Sequence, residues 1–561
     1  MKITLAQLNP TIGDFKGNLA KIKKSLLAAK KANSDLIIFP ELFVTGYPAR
    51  DLLEKEEFIE AAKATTLKVA QLSQEYPKIG IILGNITENP KKLGARLYNS
   101  AIFIFQGKII FIQHKSCLPK TDVFDEPRYF EPSPDVKVFP FKGERLGISI
   151  CADVWAGTPW AKREYEVFPI KELAKKRATI FINLSASPFY VGKEKIRYQV
   201  LRYQAKKYKT PIVYVNQVGG NDELIFDGRS MVLNEKGELV DILPAFKESI
   251  KTVDTSKFNR TISFTSQEEI ADIHDALILG LRDYMRKCGF KKAIIGLSGG
   301  IDSSVTCSLA VKALGKENVL GVSMPSPFSS KSSVSDAKKL AKNLGIKLIK
   351  IPINDIYQSY LNSLKKYLGK KKKVTVVEEN IQARIRGNIL MALSNKIKDS
   401  IVISTGDKSE LAVGYCTLYG DMSGGISLIS DVPKNKVYKL AEYINRKKEI
   451  IPEEILKKPP SPELRPNQLT EKDLIPYKIL DPIMEYYIEE KLSIREIIKK
   501  GFRPKDVKWV IKKIDRNEFK RRQAAPGFKV TSKAFGIGRR MPIAAKYDFN
   551  IKDFSKILKR K

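Results

Sequence analysis

Ser298-Gly-Gly-Ile-Asp-Ser-Ser304 places two glycines, a carboxylate and three hydroxyls within seven positions. Such a stretch can bind phosphate. Gly299 and Gly300 let the backbone turn tightly and approach a ligand closely. Ser303 and Ser304 open a helix at Val305, whose free N–H groups and positive dipole end attract an anion. Asp302 adds a carboxylate where a magnesium-bound pyrophosphate would need one. No Gly-Lys-Ser/Thr closes the loop, so it is not a Walker sequence. The apolar run ending at Leu297 predicts a strand, and Val319–Met324 predicts the next, giving a βαβ unit. The loop then lies at a strand's carboxyl end, where open parallel sheets bind ligands.

Other polar residues cluster after this loop. Asn380, Arg384 and Asn388 recur every four residues on a predicted helix and share one face. Thr405 and Glu410 follow an apolar strand at 400–404 and can offer oxygens to magnesium, while Lys408 can meet phosphate. In the first half Glu41, Lys115 and Cys151 each follow a predicted strand. Cys117 competes with Cys151 as a nucleophile on composition alone.

The elements around these residues describe an α/β protein. The first ~255 residues, by the usual domain length, alternate short apolar strands with helical segments, which predicts a layered sandwich. Residues 256–265 have no clear period and read as a linker, so the expected domains are 1–255 and 266–561. Ser266 and Glu269 predict a capping box for the helix bearing Ile270, Ile273, Leu277, Leu281 and Tyr284 on one face.

Composition narrows the function. At 561 residues, with 43% hydrophobic content, the chain can build more than one core. No apolar run reaches the ~18–20 residues of a membrane span, and the start reads as a buried strand, so a cytoplasmic enzyme is expected. Five scattered cysteines without a Cys-x-x-Cys pair argue against a disulfide framework or zinc ribbon. Only two histidines are present, which disfavours histidine-based metal sites and triads. The net charge of +37 reads as a solvated lysine-rich surface, including Lys370–Lys373, rather than a nucleic-acid footprint, since no aromatic residues interleave the basic tracts.

The loop resembles that of the ATP pyrophosphatases. From about Glu268 through Pro542 the second half resembles the NAD synthetases, with Pro459-Pro-Ser-Pro-Glu-Leu-Arg-Pro466, Glu518-Phe-Lys-Arg-Arg-Gln523 and Arg539-Arg-Met-Pro542 in the family's order. The resemblance implies a doubly wound parallel sheet. It implies that Ser298, Gly299, Gly300, Asp302 and Ser303, with Thr405 and Lys408, bind ATP, and that Asp302 and Glu410 hold Mg2+. Arg384, Asn388, Asp421 and Lys520 would contact nicotinic acid adenine dinucleotide, the deamido-NAD substrate. Asp407 stands where the glutamine-dependent group usually has asparagine.

Phe39-Pro-Glu-Leu-Phe-Val-Thr-Gly-Tyr-Pro48, Lys115-Ser-Cys-Leu-Pro119 with Phe124-Asp-Glu126, and Gly147-Ile-Ser-Ile-Cys-Ala-Asp-Val-Trp155 resemble the Glu-Lys-Cys signature of the nitrilase, or carbon–nitrogen hydrolase, family. The resemblance spans roughly residues 1–250 and implies an α-β-β-α sandwich. Glu41 would be the general base, Lys115 the oxyanion partner, Cys151 the nucleophile and Glu126 a fourth member, with Tyr47 and Ser187 contacting glutamine. Ala152 replaces the glutamate that usually follows the nucleophile. Together the two resemblances imply glutamine-driven amidation of deamido-NAD to NAD at the expense of ATP, by a homo-oligomer with a dimeric synthetase core and shielded passage of ammonia. The competing readings are another adenylating amidotransferase, such as a tRNA-modifying one, and a basic nucleic-acid-binding protein.

Overall fold

The computed structural model describes residues 1–91, 93–161, 165–369 and 374–547, apart from the side chain of Glu471; Lys370–Lys373 lie outside them. The chain forms two compact units, Met1–Lys287 and Cys288–Lys561.

The first unit stacks two six-stranded sheets. One runs in the order Ser249–Asp254, Lys2–Gln7, Leu36–Ile38, Gly80–Glu88, Leu97–Phe105, Lys108–His114. The other runs Leu239–Ile242, Met231–Leu233, Ile212–Asn216, Ile180–Ser185, Glu144–Ile150, Val138–Phe141. Their facing sides bury Ile3, Leu5, Ile82, Phe103, Ile148, Ile182 and Val213 in one core. Helices Phe15–Lys31 and Glu56–Ser73 cover the first sheet through Ile22, Leu26 and Val69. Helices Pro169–Lys175 and Lys193–Tyr208 cover the second through Leu173, Val200 and Leu201. The central strands are apolar on both faces because each sheet is covered twice. The layering is the expected α-β-β-α sandwich.

The helix Glu269–Cys288 packs almost wholly with this unit, burying Ile273, Leu277 and Leu281. Its start differs from the expected capping box. The Ser266 hydroxyl donates to Glu194, so it is drawn away from the helix end.

The second unit holds a five-stranded sheet in the order Lys347–Lys350, Val319–Ser323, Lys292–Gly296, Ser400–Ser404, Ile426–Ser427, parallel throughout. The order reverses between Lys292–Gly296 and Ser400–Ser404. A crevice opens there at the strands' carboxyl ends, and both strands lead directly into the polar segments singled out from the sequence.

Candidate active sites

In the first unit Cys151 follows strand Glu144–Ile150 and opens a short 3-10 turn with φ 43. A non-glycine residue in this left-handed region persists only when its surroundings hold it. Asp153 does so. Its Oδ2 accepts from the Ile150 N–H at 2.9 Å, and its Oδ1 accepts from the N–H groups of Cys117 at 2.8 Å and Ser116 at 3.1 Å. One carboxylate thereby ties the turn of Cys151 to the loop of Lys115.

Lys115 is fully buried between two carboxylates, 2.6 Å from Glu41 and 2.7 Å from Glu126. Glu41 also accepts from Asn99 Nδ2 and the Ala186 N–H, each at 2.8 Å. The Tyr47 hydroxyl donates to Glu126 at 2.9 Å. Burial works against the Lys115 charge, but Glu126 and Glu41 outweigh it and hold the ammonium well above the usual lysine range. Burial raises Glu126 to about 7. Burial, reinforced by Glu41, raises the Cys151 thiol to about 12, with Lys115 opposing. A thiol held there would need a base at contact distance to act as a nucleophile.

Cys117 has a different environment. It is completely buried beside Ala152 and Ala156, with its thiol directed at the Val167 carbonyl. Burial and Asp153 push its pKa far up. Ser187 is buried, and its N–H donates to Asn216 at 2.9 Å. Sequence reasoning gave no role to Lys193, whose ammonium donates to the Pro188 carbonyl at 2.7 Å and opposes the upward shift of Cys151. As one of many lysines on a helix, it carries no signal in the sequence.

In the second unit Gly299 has φ +79, and a Cβ there would lie 2.2 Å from the Ser333 carbonyl oxygen, so only glycine fits. Ser298 accepts from the Gly300 N–H, while Ser303 and Ser304 donate to the Gly300 carbonyl, which sets the loop's curl before helix Ile301–Leu314. The loop borders a cavity of about 290 Å³. Ser298, Gly299, Gly300, Asp302, Ser303, Thr405, Glu410 and Asp421 all line it. Asp421 also accepts from the Thr417 N–H at 2.6 Å.

Asp302, Asp407 and Glu410 bring one oxygen each to within 4.8 Å of one another. Lys434 Nζ stands among them, 2.7, 2.8 and 3.1 Å from the three carboxylates. Burial raises Asp302 to about 6 and Glu410 well above its usual range. Asp302 Oδ1 is buried without a hydrogen-bond partner. Hard oxygen donors, an excess of negative charge and an unsatisfied carboxylate oxygen suit Mg2+. Asp407, in the place of the usual asparagine, caps helix Lys408–Val413 through the Glu410 N–H and adds charge to this cluster.

One expected contact takes another place. Lys408 is fully buried and engaged by Asp431, Glu489 and Thr531, because the first turn of its helix points it into the core instead of at phosphate. Lys434 takes the cationic place. Arg384 and Asn388 lie on the exposed face of helix Val376–Lys396, and Arg384 donates to the Leu418 carbonyl. Ala383, Arg386, Gly387 and Leu390 of that helix line the cavity. Lys520 donates to the carbonyls of Gly414 and Cys416, at 2.7 and 2.8 Å.

The family model described as carbon–nitrogen hydrolase matches residues 2–261, and that described as NAD synthase matches residues 273–524. The glutamine-dependent NAD(+) synthetase of Synechocystis sp. is 45% identical over 97% of this chain and 98% of its own length. That of Thermotoga maritima is 43% identical over 98% of this chain and 99% of its own. A solved glutamine-dependent NAD+ synthetase from Acinetobacter baumannii, in complex with ADP, is 40% identical with a TM-score of 0.75 and covers 97% of this chain and 98% of that one.

Proposed function

We propose, from the premise that this chain belongs to the glutamine-dependent NAD(+) synthetases, that its two sites divide one reaction between them: Cys151 liberates ammonia from glutamine, and the crevice at Asp302 uses it to amidate deamido-NAD. The observation that carries this division is the Glu41–Lys115–Glu126 cluster against Cys151, in a chain whose other unit holds a phosphate cradle.

Glu41 takes the proton of Cys151 as the sulfur bonds to the carboxamide carbon of glutamine. Lys115 steadies the oxyanion. The carbon–nitrogen bond then breaks, Glu41 returns the proton to the nitrogen, and ammonia leaves. Water attacks the remaining glutamyl thioester and releases glutamate and the thiol. Lys193 adds positive charge for a substrate carboxylate.

In the second site the substrate carboxylate attacks the α-phosphorus of ATP. The bond to pyrophosphate breaks and an acyl-adenylate forms. Ammonia then adds to the acyl carbon, a proton leaves the nitrogen, and AMP departs, leaving NAD. The loop N–H groups and Lys434 take charge from the departing pyrophosphate. Asp302 and Glu410, with Asp407, would hold Mg2+, which when bound neutralises phosphate charge.

Among the described residues no helix is long and apolar enough to cross a membrane. A cytoplasmic homo-oligomer with a dimeric synthetase core, acting on small molecules rather than nucleic acid, completes the proposal. The test is end-point detection of NAD and AMP from deamido-NAD, ATP and Mg2+ with glutamine or ammonium. NAD is expected from either donor; its absence with both would refute the assignment.

A further inference from the structure

The end of helix Glu269–Cys288 carries Asp283 and Lys287, four residues apart and so on one face. Lys287 is almost enclosed, its side chain 10% exposed. Its ammonium donates to Asn9 Oδ1 at 2.8 Å, the Pro10 carbonyl at 3.1 Å, the Gly220 carbonyl at 2.8 Å and Asn221 Oδ1 at 2.6 Å. Asp283 Oδ2 answers by accepting from Asn9 Nδ2 at 2.6 Å and the Gly220 N–H at 2.8 Å. Asn9 is thus gripped at both ends of its amide. Gly219 makes room for this, since with φ +122 a Cβ there would lie 2.1 Å from Asn9 Oδ1.

The clamp continues into the glutaminase site. Asn221 Nδ2 donates to the backbone carbonyl of Tyr47 at 2.7 Å. The Tyr47 hydroxyl donates to Glu126 Oε1 at 2.9 Å, and the same oxygen accepts from Lys115 at 2.9 Å. A second path runs along the loop after Asn9 and Pro10. Gly46 has φ +77, and a Cβ there would lie 2.7 Å from Ile12 Cα, so the two loops meet backbone to backbone just before Tyr47. A buried charge needs such a set of partners, and here they come from two segments, residues 9–10 and 220–221, both of which lead to one tyrosine.

We propose that Lys287 and Asn221 are positioning residues for glutamine hydrolysis: they fix the Tyr47 backbone so that its phenol holds Glu126 against Lys115. This rests on the assignment of Cys151 and Lys115 to that reaction. Lys115 can face an oxyanion only while both carboxylates hold it, so a displaced Tyr47 slows the chemical step and leaves glutamine capture intact. The chain leaving Lys287 runs directly into strand Lys292–Gly296 and the phosphate loop. The clamp therefore stands at the covalent entrance to the second unit.

Asn221→Asp separates positioning from stability. It keeps an oxygen for the Lys287 ammonium and replaces the donor to Tyr47 with an acceptor. In full-length protein, glutamate release should fall about tenfold or more in kcat, as expected for one lost hydrogen bond at a reacting centre, with the glutamine KM, the Tm and ammonium-driven NAD synthesis unchanged. Tyr47→Phe should lose a similar factor, and the double variant should lose no more than the larger single loss. Multiplying losses, or an Asn221→Asp enzyme with the wild-type kcat, would overturn the proposal. If Asn221→Asp fails to fold, the Tyr47→Phe enzyme decides: a kcat unchanged from wild type overturns the relay, and a loss in kcat alone supports it. Cys151→Ala is assayed in parallel. Glutamate release that survives Cys151→Ala would overturn the nucleophile assignment and the positioning with it, whereas its loss there, with no effect of Asn221→Asp, overturns the positioning alone.

Discussion

Burial raises the Cys151 thiol to about 12, so the proposed attack would depend on the neighbouring carboxylate rather than on a standing thiolate. Ala152, beside it, stands where the nitrilase resemblance puts a glutamate, a carboxylate that could hold the substrate's amino group. Ala152→Glu should therefore lower the KM for glutamine and leave that for ATP unchanged; steady-state kinetics would show no change, or a rise, if another group already holds that end. In the second site Asp302 supplies a buried oxygen that has no hydrogen-bond partner among the described residues. Asp302→Ala should cut NAD synthesis by about two to three orders of magnitude with either nitrogen donor, as expected when a charge-assisted contact to the transition state is lost. Near-wild-type rates with ammonium would remove Asp302 from the mechanism.

At the scale of elements, both sites stand where a strand ends and the backbone turns under constraint. Gly299 shows how little freedom remains: an added methyl meets the Ser333 carbonyl and a φ that alanine resists. Gly299→Ala should abolish NAD formation from both donors while glutamate release persists, which a paired assay of NAD and glutamate checks. These strand-end positions were legible in the sequence because an apolar run followed abruptly by polar residues marks the mouth of a sheet. Glu41, Lys115, Cys151 and the glycine loop all stood out this way. Residues that reach a site by tertiary closure did not. Lys434 begins a helix far along the chain from Asp302, and Lys193 looks like its neighbours on a surface helix. Lys408 shows the opposite error, since closeness in sequence to Glu410 said nothing about which way its helix turns it. On helix Val376–Lys396 the four-residue repeat marked the exposed face of Arg384 and Asn388, and gave no sign that Arg386 lines the cavity.

At the scale of the molecule, two folds with separate cores lie on one chain, and full-length relatives make NAD synthesis the common task rather than another adenylating amidation. The domain grammar was readable because each half carries its own motif set. The packing of helix Glu269–Cys288 was not, because its apolar face fits either neighbour until Asp283 and Lys287 find their partners in the first unit. Separate cores imply separable chemistry. The most direct measurement compares NAD formation by Cys151→Ala with glutamine and with ammonium, taking Cys117→Ala as control. Cys151→Ala should lose at least about a thousandfold with glutamine and stay within about twofold of wild type with ammonium, while Cys117→Ala spares both. Loss of ammonium-driven synthesis in folded Cys151→Ala protein, or loss of glutamine use in Cys117→Ala alone, would contradict the division of labour.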